Sequence, residues 1–171
     1  NIAHNYCIRI SKDAKLEVQA YVFLGSSTRI VCIRDIKIGE CTQFAFGCNI
    51  IDSNFHFLYD KRSMKVGNRD KKIVIGKNNW IGNSASIVGG CCTGDYFTVA
   101  SNSLVNKDFS KSLEQNVMLA GVPARIVKND IQRIFSLDKE SELYHYFKQQ
   151  NYPDSVWLEN YMDELDSFKQ H

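Results

Sequence analysis

The chain has 171 residues, of which 44% are hydrophobic and 23% charged, and only two are prolines. This composition is typical of a globular protein large enough to bury a core, and it excludes a proline-rich disordered linker. No apolar run approaches the ~20 residues that a membrane-spanning helix needs, and the first residues lack the basic-then-apolar pattern of a secretion signal. We therefore expect a cytoplasmic protein without a membrane span.

The net charge of +2 conceals two regions of opposite sign. Residues 1–128 carry a net charge of +7, whereas residues 129–171 carry a net charge of −5. An anionic ligand would therefore be sought on the first region. Aromatic residues do not interleave with its cations as base stacking requires, so the pattern does not indicate nucleic-acid binding.

A six-residue period dominates the first region. Residues 1 to about 37 alternate only loosely, but rows of six then begin at Ile38, Phe44 and Ile50. After an interruption, further rows run from residue 75 to residue 104, reading IGKNNW, IGNSAS, IVGGCC, TGDYFT and VASNSL. An amphipathic helix repeats every 3.6 residues and a flat strand every two, so a period of six fits neither alone.

The period predicts a parallel β-helix, an all-β solenoid whose short strands each direct one aliphatic side chain inward. Its coils must stack to bury a continuous core. Glycine follows the aliphatic residue at Gly76 and Gly82, where corners would bring backbones close together. Residues 1–37 are then irregular early coils, or a cap over the open end of the core. Chance alternation in a β-sandwich is the alternative, which two separate blocks of rows disfavour.

A polar insertion interrupts the rows. His56 stands where the next row should begin, and the loop excursion 57–72 continues without the period. Lys or Arg occupies six of the twelve positions from 61 to 72. Insertions in solenoids form loops on one face, often the binding face, although a merely solvated loop is the alternative.

The character of the chain changes towards its end. Residues 118–128 form a last apolar stretch with a turn at Gly121 and Pro123. From Asn129 onward the spacing is helical, with one apolar face at Ile131, Ile134 and Phe135. A second helix is predicted to begin at Asp154 or Ser155 and to carry Leu158, Tyr161, Leu165 and Phe168. We divide the chain into a solenoid domain, 1–128, and a C-terminal α-helical segment, 129–171.

The six cysteines do not indicate disulfides or a metal site. They include no C-x-x-C pair, and the chain is larger and poorer in cysteine than disulfide scaffolds are. Cys48 and Cys91 lie two residues before the first residue of a row, so we expect them to fill corners as small apolar side chains. We predict no metal ligands.

His56 is the candidate catalytic residue. An imidazole in a position that calls for an aliphatic side chain costs packing, which suggests a functional reason. Neutral imidazole is also the side chain best matched to general-base catalysis near pH 7. Asp52 and Asp60 lie four residues before and after it, and either carboxylate could fix the ring tautomer. A hydrogen-bonded core histidine is the structural alternative.

Four ordered segments resemble those of the hexapeptide-repeat acyltransferases, most closely the sugar and capsular-polysaccharide O-acetyltransferases. They are residues 52–56 (DSNFH), 75–82 (IGKNNWIG), 99–108 (VASNSLVNKD) and 120–125 (AGVPAR). The resemblance covers roughly residues 30–128 and excludes the tail. It implies a left-handed parallel β-helix, assembled as a homotrimer with active sites between subunits, and acetyl-CoA as co-substrate with no metal.

The resemblance also implies roles for individual residues. His56 matches the base that deprotonates an acceptor hydroxyl as it attacks the thioester, and the backbone N–H of Asn83 matches the oxyanion donor. Ala100 and Ser101 match small residues along which pantetheine lies. The remaining coenzyme positions, an aromatic residue and four polar or basic ones, match Trp80, Asn106, Lys107, Arg125 and Lys128. For Trp80, packing on the outer wall is the alternative.

The acceptor that the resemblance implies is a saccharide or nucleotide-sugar of surface polysaccharide biosynthesis. The cationic insertion replaces the loop that shapes the acceptor site in relatives, and it favours an anionic acceptor. Acetylation of an amino-sugar nucleotide on nitrogen, and a non-enzymatic structural β-helix, are the alternatives. A carbonic anhydrase of this fold needs three histidine ligands, and only His56 lies within the repeats. Antibiotic acetyltransferases on this scaffold rank below polysaccharide modification.

Overall fold

The protein, described by a computed structural model over residues 5–110 and 115–155, winds into about five coils. The first three coils bring the strands β1 (Cys7–Ile10), β2 (Lys15–Val18), β3 (Phe23–Leu24), β4 (Arg29–Cys32), β5 (Asp35–Ile38), β6 (Gln43–Phe44), β7 (Asn49–Ile51), β8 (Tyr59–Asp60), β9 (Lys65–Val66), β10 (Ile73–Ile75) and β11 (Trp80–Ile81). The last coils bring β12 (Ser86–Val88), β13 (Thr98–Val99), β14 (Leu104–Val105), β15 (Met118–Gly121) and β16 (Ala124–Lys128).

Corresponding strands of successive coils stack into three parallel sheets. The first sheet has the order β1-β4-β7-β12-β14, the second β10-β5-β2, and the third β16-β15-β13-β11-β6-β3. Only β16 runs antiparallel to its neighbour in these three sheets as described. The prediction of a left-handed parallel β-helix with a C-terminal helix is therefore confirmed.

The period of six produces the core because the first residue of each row points inward. In the first sheet, Ile30, Ile50, Ile87 and Val105 are paired in register and fully buried. Full burial of one such side chain stabilises the fold by about 1.5–3 kcal/mol, so the stacked columns supply most of the hydrophobic stabilisation.

Close backbone contact at the corners explains the glycines. Gly39 and Gly76 stack between the second and third sheets, and a Cβ on Gly39 would lie 2.5 Å from the carbonyl carbon of Gly76. Each of these tight corners also contains a residue with a positive φ, for example Asn78 with 52° and Ser84 with 57°. Asparagine and glycine suit this conformation because its steric cost is lowest for them.

The early residues form coils and not a cap. Residues 7–10 and 15–18 pair in continuous register with β4 and β5 of the second coil. The expectation that residues 1–37 are irregular is wrong for these strands. Their loose alternation reflects partial exposure, since the side chains of β1 are mostly exposed.

The insertion leaves the solenoid earlier than the rows predict. The row beginning at Ile50 ends with β7 at Ile51, and Ser53 forms an antiparallel bridge with Asp70. Residues 52–72, here called the arm, then continue into the antiparallel hairpin β8–β9. The chain re-enters the solenoid at β10, as the return of the period at Ile75 predicts.

The described residues divide into two compact units after Gln132. The C-terminal unit contains α1 (Leu137–Gln149), whose first turn is capped by the Ser136 side chain, an acceptor for the Lys139 N–H at 3.2 Å. The apolar residues predicted to form a helical face, Ile131, Ile134 and Phe135, precede this helix, so that prediction is wrong. The Ile131 N–H instead donates to the Asn116 carbonyl oxygen at 2.7 Å.

The second predicted helix, with Leu158, Tyr161, Leu165 and Phe168, lies outside the described residues. The division into domains at residue 128 stays a prediction. Within the described ranges, no helix is long and apolar enough to cross a membrane.

Candidate active site

His56 lies at the base of the arm and is exposed to solvent. The expectation that it occupies an inward position of a coil is therefore wrong, because the solenoid has already been left at Asp52. Its backbone N–H donates to the carbonyl oxygen of Asn54 at 2.7 Å. An exposed imidazole at this position is accessible to a substrate, which a buried core histidine is not.

Asp52 supports the fold and not the ring of His56. Its side chain is fully buried, and it accepts hydrogen bonds from three successive backbone N–H groups of the preceding coil. The donors are Ile33 at 2.7 Å, Arg34 at 2.8 Å and Asp35 at 2.8 Å. Both carboxylate oxygens are thus committed to the corner between β4 and β5. The predicted pairing of Asp52 with His56 is therefore wrong, because both oxygens accept hydrogen bonds from the backbone of residues 33–35.

Asp60 caps the turn at the tip of the arm. One carboxylate oxygen accepts from the backbone N–H of Arg62 at 2.8 Å, and the other accepts from the Ser63 hydroxyl at 2.8 Å. The hydrogen bonds from Ser63 and Arg62 lower the pKa of this exposed carboxyl group. Because both oxygens serve the turn, Asp60 orders the hairpin and is not placed to orient His56.

Three of the predicted donor-side residues, Asn83, Ala100 and Ser101, lie at one corner of the solenoid. This donor corner, residues 82–85 and 100–103, joins the third sheet to the first. Trp80 is exposed by 37% on the outer face of the third sheet, in register with Gln43 and Thr98. Asn83 and Ser101 occupy equivalent positions in adjacent coils, one residue after Gly82 and Ala100.

The Asn83 backbone N–H is available at the donor corner. The Asn83 carbonyl oxygen accepts from the Asn102 N–H at 2.9 Å, which fixes the orientation of the turn. In the part of the chain that the structure describes, the Asn83 N–H donates no hydrogen bond to the protein. A fixed, unused N–H is the kind of group that can stabilise an oxyanion.

The hairpin β15–β16 stacks on the donor corner and carries two predicted cations. Gly121 N–H donates to the Ser103 hydroxyl at 3.2 Å, and the Ala100 N–H donates to the Leu119 carbonyl oxygen at 2.8 Å. Arg125 is exposed and paired in register with Ala120, while Lys128 lies further along the same strand. The hairpin thus gathers positive charge beside the small residue Ala100.

Two other predicted coenzyme residues lie elsewhere. Asn106 and Lys107 follow β14, at the opposite end of the first sheet from the donor corner. The Lys107 ammonium group lies 4.9 Å from the centre of the Phe109 ring, a cation–π contact within its own coil. One chain therefore does not bring all the predicted coenzyme residues into a single groove.

The first sheet also separates His56 from Asn83. Asn83 lies just before β12. The arm leaves the solenoid just after β7, which is the neighbour of β12 in the same sheet. At ~3.3 Å per residue, the strand and its flanking residues put these two corners on the order of 15 Å apart. The base of the arm and the Asn83 corner of the same chain therefore lie at opposite ends of the first sheet.

The buried cysteines are unreactive core residues, as predicted for Cys48 and Cys91. Each is about 1% exposed. Burial raises the pKa of the Cys48 thiol to about 11 and that of the Cys91 thiol to about 12. None of the six cysteines forms a disulfide bond in the part of the chain that the structure describes. Among the described residues, no group of three or more His, Cys, Asp or Glu side chains could hold a metal ion.

Curated bacterial proteins share part of this sequence. The chain is 37% identical over 131 residues to an uncharacterized 24.8 kDa protein in the cps region of Klebsiella pneumoniae, covering 76% of this chain and 55% of that protein. It is 28% identical over 121 residues to the putative lipopolysaccharide biosynthesis O-acetyl transferase WbbJ of Escherichia coli K12, covering 66% and 57%. The chain thus spans little more than half the length of these relatives. No protein-family model matches it.

Solved structures share the fold. The polysialic acid O-acetyltransferase OatWY superposes with a TM-score of 0.68 at 26% identity, covering 83% of this chain and 69% of that one. A hexapeptide-repeat acetyltransferase, VCA0836 of Vibrio cholerae, solved with acetyl coenzyme A, gives a TM-score of 0.57 at 20% identity, covering 75% and 67%. At this identity the second likeness concerns the fold alone.

The coils and these comparisons agree on one resemblance. The predicted resemblance to the hexapeptide-repeat acyltransferases of left-handed β-helix fold is confirmed. The named relatives and neighbours include a putative lipopolysaccharide biosynthesis O-acetyl transferase and a polysialic acid O-acetyltransferase.

Proposed function

We propose that the protein is an acetyl-CoA-dependent O-acetyltransferase that modifies a hydroxyl group of a saccharide in surface polysaccharide biosynthesis. The observation that carries the proposal is the exposed His56 on an arm of a hexapeptide β-helix whose relatives are sugar O-acetyltransferases. The proposed use of acetyl-CoA favours the cytoplasm as its compartment.

In this proposal neutral His56 removes the proton from the acceptor hydroxyl as the oxygen attacks the thioester carbonyl carbon. The Asn83 N–H stabilises the resulting tetrahedral oxyanion. When the intermediate collapses, the carbon–sulfur bond breaks and the imidazolium returns its proton to the leaving thiolate. The products are the acetyl ester and CoA, and no acyl-enzyme is needed.

The donor corner and the β15–β16 hairpin fit the coenzyme. Ala100 and Ser101 leave room for an extended pantetheine arm, because their side chains are small. Arg125 and Lys128 supply cations for the phosphates, and an arginine can bind phosphate in bidentate fashion. The role of Trp80 as a wall of this groove, and of Asn106 and Lys107 as further contacts, stays a prediction.

The separation of His56 from Asn83 supports a site between subunits. A homotrimer would bring the arm of one subunit to the donor corner of the next, and a closed ring would form three equivalent sites. Asn106 and Lys107 lie at the same end of the first sheet as the arm, so they would reach the coenzyme from the same neighbour as His56.

Subunit mixing tests this arrangement. His56→Ala removes the base, and Ala100→Trp blocks the donor corner, so each variant alone should be inactive. When the two are unfolded, mixed and refolded together, activity should reappear at sites that combine an intact arm with an intact donor corner. Light scattering should give the mass of three chains. Recovery that fails in confirmed mixed trimers would mean that each site lies within one chain.

Calorimetric titration with acetyl-CoA tests the function itself. Saturable binding near one site per chain is expected, followed by release of free CoA thiol when the correct saccharide is added. Treatment of the product with hydroxylamine then separates an ester, which is cleaved, from an amide, which is not. Absence of acetyl-CoA binding by the folded protein would instead favour a structural β-helix.

The charge of the arm supports an anionic acceptor. Lys61, Arg62 and Lys65 are exposed on the hairpin, whose turn is ordered by Asp60. Acidic and neutral polysaccharides of equal length should therefore differ in rate, and the preference should weaken with salt because exposed charges are screened. Equal rates that do not respond to salt would assign the arm a different role.

A further inference from the structure

None of the described residues fixes the ring of His56. In the ranges 5–110 and 115–155, the imidazole makes no hydrogen bond to another group of the protein. The two carboxylates nearest in sequence, Asp52 and Asp60, are committed to backbone N–H groups and to Ser63. The described contacts instead fix the backbone next to His56, from which the ring projects.

That backbone is held in an uncommon conformation. Phe55, immediately before His56, has a φ of 58°, in the left-handed region that a bulky residue rarely adopts. Two contacts hold it there. The Phe55 N–H donates to the Ser53 hydroxyl oxygen at 2.9 Å, and the Phe55 carbonyl oxygen accepts from Arg69 Nη1 at 3.0 Å.

Asp70 joins both contacts into one network. One of its carboxylate oxygens accepts the Ser53 hydroxyl, and the other pairs with Arg69 Nε at 3.2 Å. Ser53 is only 6% exposed, and its bridge to Asp70 lies where the arm joins the solenoid. The Asp70 carbonyl oxygen in turn accepts from Arg34 Nη1 at 3.1 Å, which ties the network to the second coil.

We propose that Ser53, Arg69 and Asp70 are positioning residues that hold Phe55 in its left-handed conformation and thereby aim the imidazole of His56 at the acceptor hydroxyl. This inference rests on the proposed function, because it assigns His56 a catalytic task. The network acts through the backbone and not through the ring. It therefore alters how well the base is placed without altering its identity.

Substitution of Ser53 isolates this effect. Ser53→Ala removes the acceptor of the Phe55 N–H, whereas Ser53→Thr keeps a hydroxyl. Ser63→Ala is the matched control, because Ser63 makes the same kind of serine–aspartate hydrogen bond at the tip of the arm. For each protein, we would measure hydrogen exchange of the Phe55 amide, the KM for acetyl-CoA, and kcat at saturating acceptor.

For Ser53→Ala we expect about tenfold faster exchange at Phe55. We expect kcat to fall by about 10–100-fold, because a misplacement near 1 Å costs up to about that much. The KM for acetyl-CoA should not change, since the donor corner lies elsewhere. Ser53→Thr should restore both quantities, and Ser63→Ala should leave kcat unchanged.

Two results overturn the inference while leaving the function intact. They are wild-type kcat in Ser53→Ala despite faster exchange at Phe55, and an equal loss of kcat in Ser63→Ala. A wild-type protein that binds no acetyl-CoA and transfers no acetyl group would overturn the proposed function. The network would then be structural only, so the two failures are distinguishable.

Discussion

The coils bury their apolar side chains, whereas the arm exposes them to solvent. In the coils, Ile81 and Ile87 are fully buried, whereas on the arm Leu58 and Met64 are exposed by 71% and 75%. The coils are held by stacked aliphatic columns, and the base of the arm is held by hydrogen bonds and an ion pair. The comparison indicates that stability is concentrated in the coils, while the arm carries the proposed chemistry at little cost to the fold.

The sharpest test of this contrast is His56→Ala. We expect acetyl transfer to fall by about 10²–10⁴-fold, which is the usual contribution of a general base. The thermal midpoint should not change, because the side chain is exposed on the arm. His145→Ala, at an exposed position of α1, is the control and should keep full activity. Wild-type turnover in His56→Ala would exclude this residue as the base.

A pair of alanine substitutions compares the stability of the two regions. Ile81→Ala should lower the free energy of unfolding by about 2–5 kcal/mol, because it opens a cavity in a close-packed column. Leu58→Ala should change it by no more than about 0.5 kcal/mol, as is usual for exposed positions. Urea denaturation of both variants provides the measurement. A similar loss at Leu58 would show that the arm is packed in the assembled protein and would remove the contrast.

Arg125→Ala tests the donor side of the coils. Loss of a hydrogen bond to a charged group costs about 1.5–3 kcal/mol, so CoA should bind at least about tenfold more weakly. If Arg125 binds the 3′-phosphate, the affinity for dephospho-CoA should scarcely change. Arg29→Ala, an exposed cation on β4, is the control. Equal weakening of both ligands would place Arg125 at the diphosphate, and unchanged affinity for both would place it outside the site.

Alkaline pH should weaken the coils through their buried thiols. The folded-state pKa of Cys91 is raised by burial to about 12, above the ordinary value of 9.0. The unfolded chain therefore loses this proton first, and stability falls as pH rises above 9, by up to about 1.4 kcal/mol per pH unit. Cys91→Ser should show a shallower decline of unfolding free energy between pH 9 and 11. An unchanged slope would contradict this origin.

The sequence predicts the coils well because their cause is local and periodic. Each inward position is identified by the first residue of a row, and columns such as Ile30, Ile50 and Ile87 follow once the coils stack. The rows mislead at Asp52, where a buried polar side chain finds its own hydrogen-bond partners. Asp52 continues an apparently regular row, yet its carboxylate binds three N–H groups 17–19 residues away, and no period records such a contact.

The site is less predictable for the same reason. The row positions mark His56 as unusual, but they assign it an inward direction that the arm does not have. Arg69 and Asp70 lie in none of the four segments, and the segment 52–56 does not reveal the partner of Ser53, because the contact between Ser53 and Asp70 spans 17 residues and depends on how the hairpin closes. A serine two residues before a phenylalanine is too weak a signal for a left-handed turn. The roles of the coenzyme residues come from resemblance and not from any spacing.

The reversal of direction at β16 has a consequence for assembly length. A stack of parallel coils has no intrinsic end, since each coil offers the next an edge that matches its own. By pairing antiparallel to β15, β16 covers that edge in the third sheet with a strand that a further parallel coil cannot extend in the same way. The hairpin that carries Arg125 therefore removes the free parallel edge of the third sheet at this end of the solenoid.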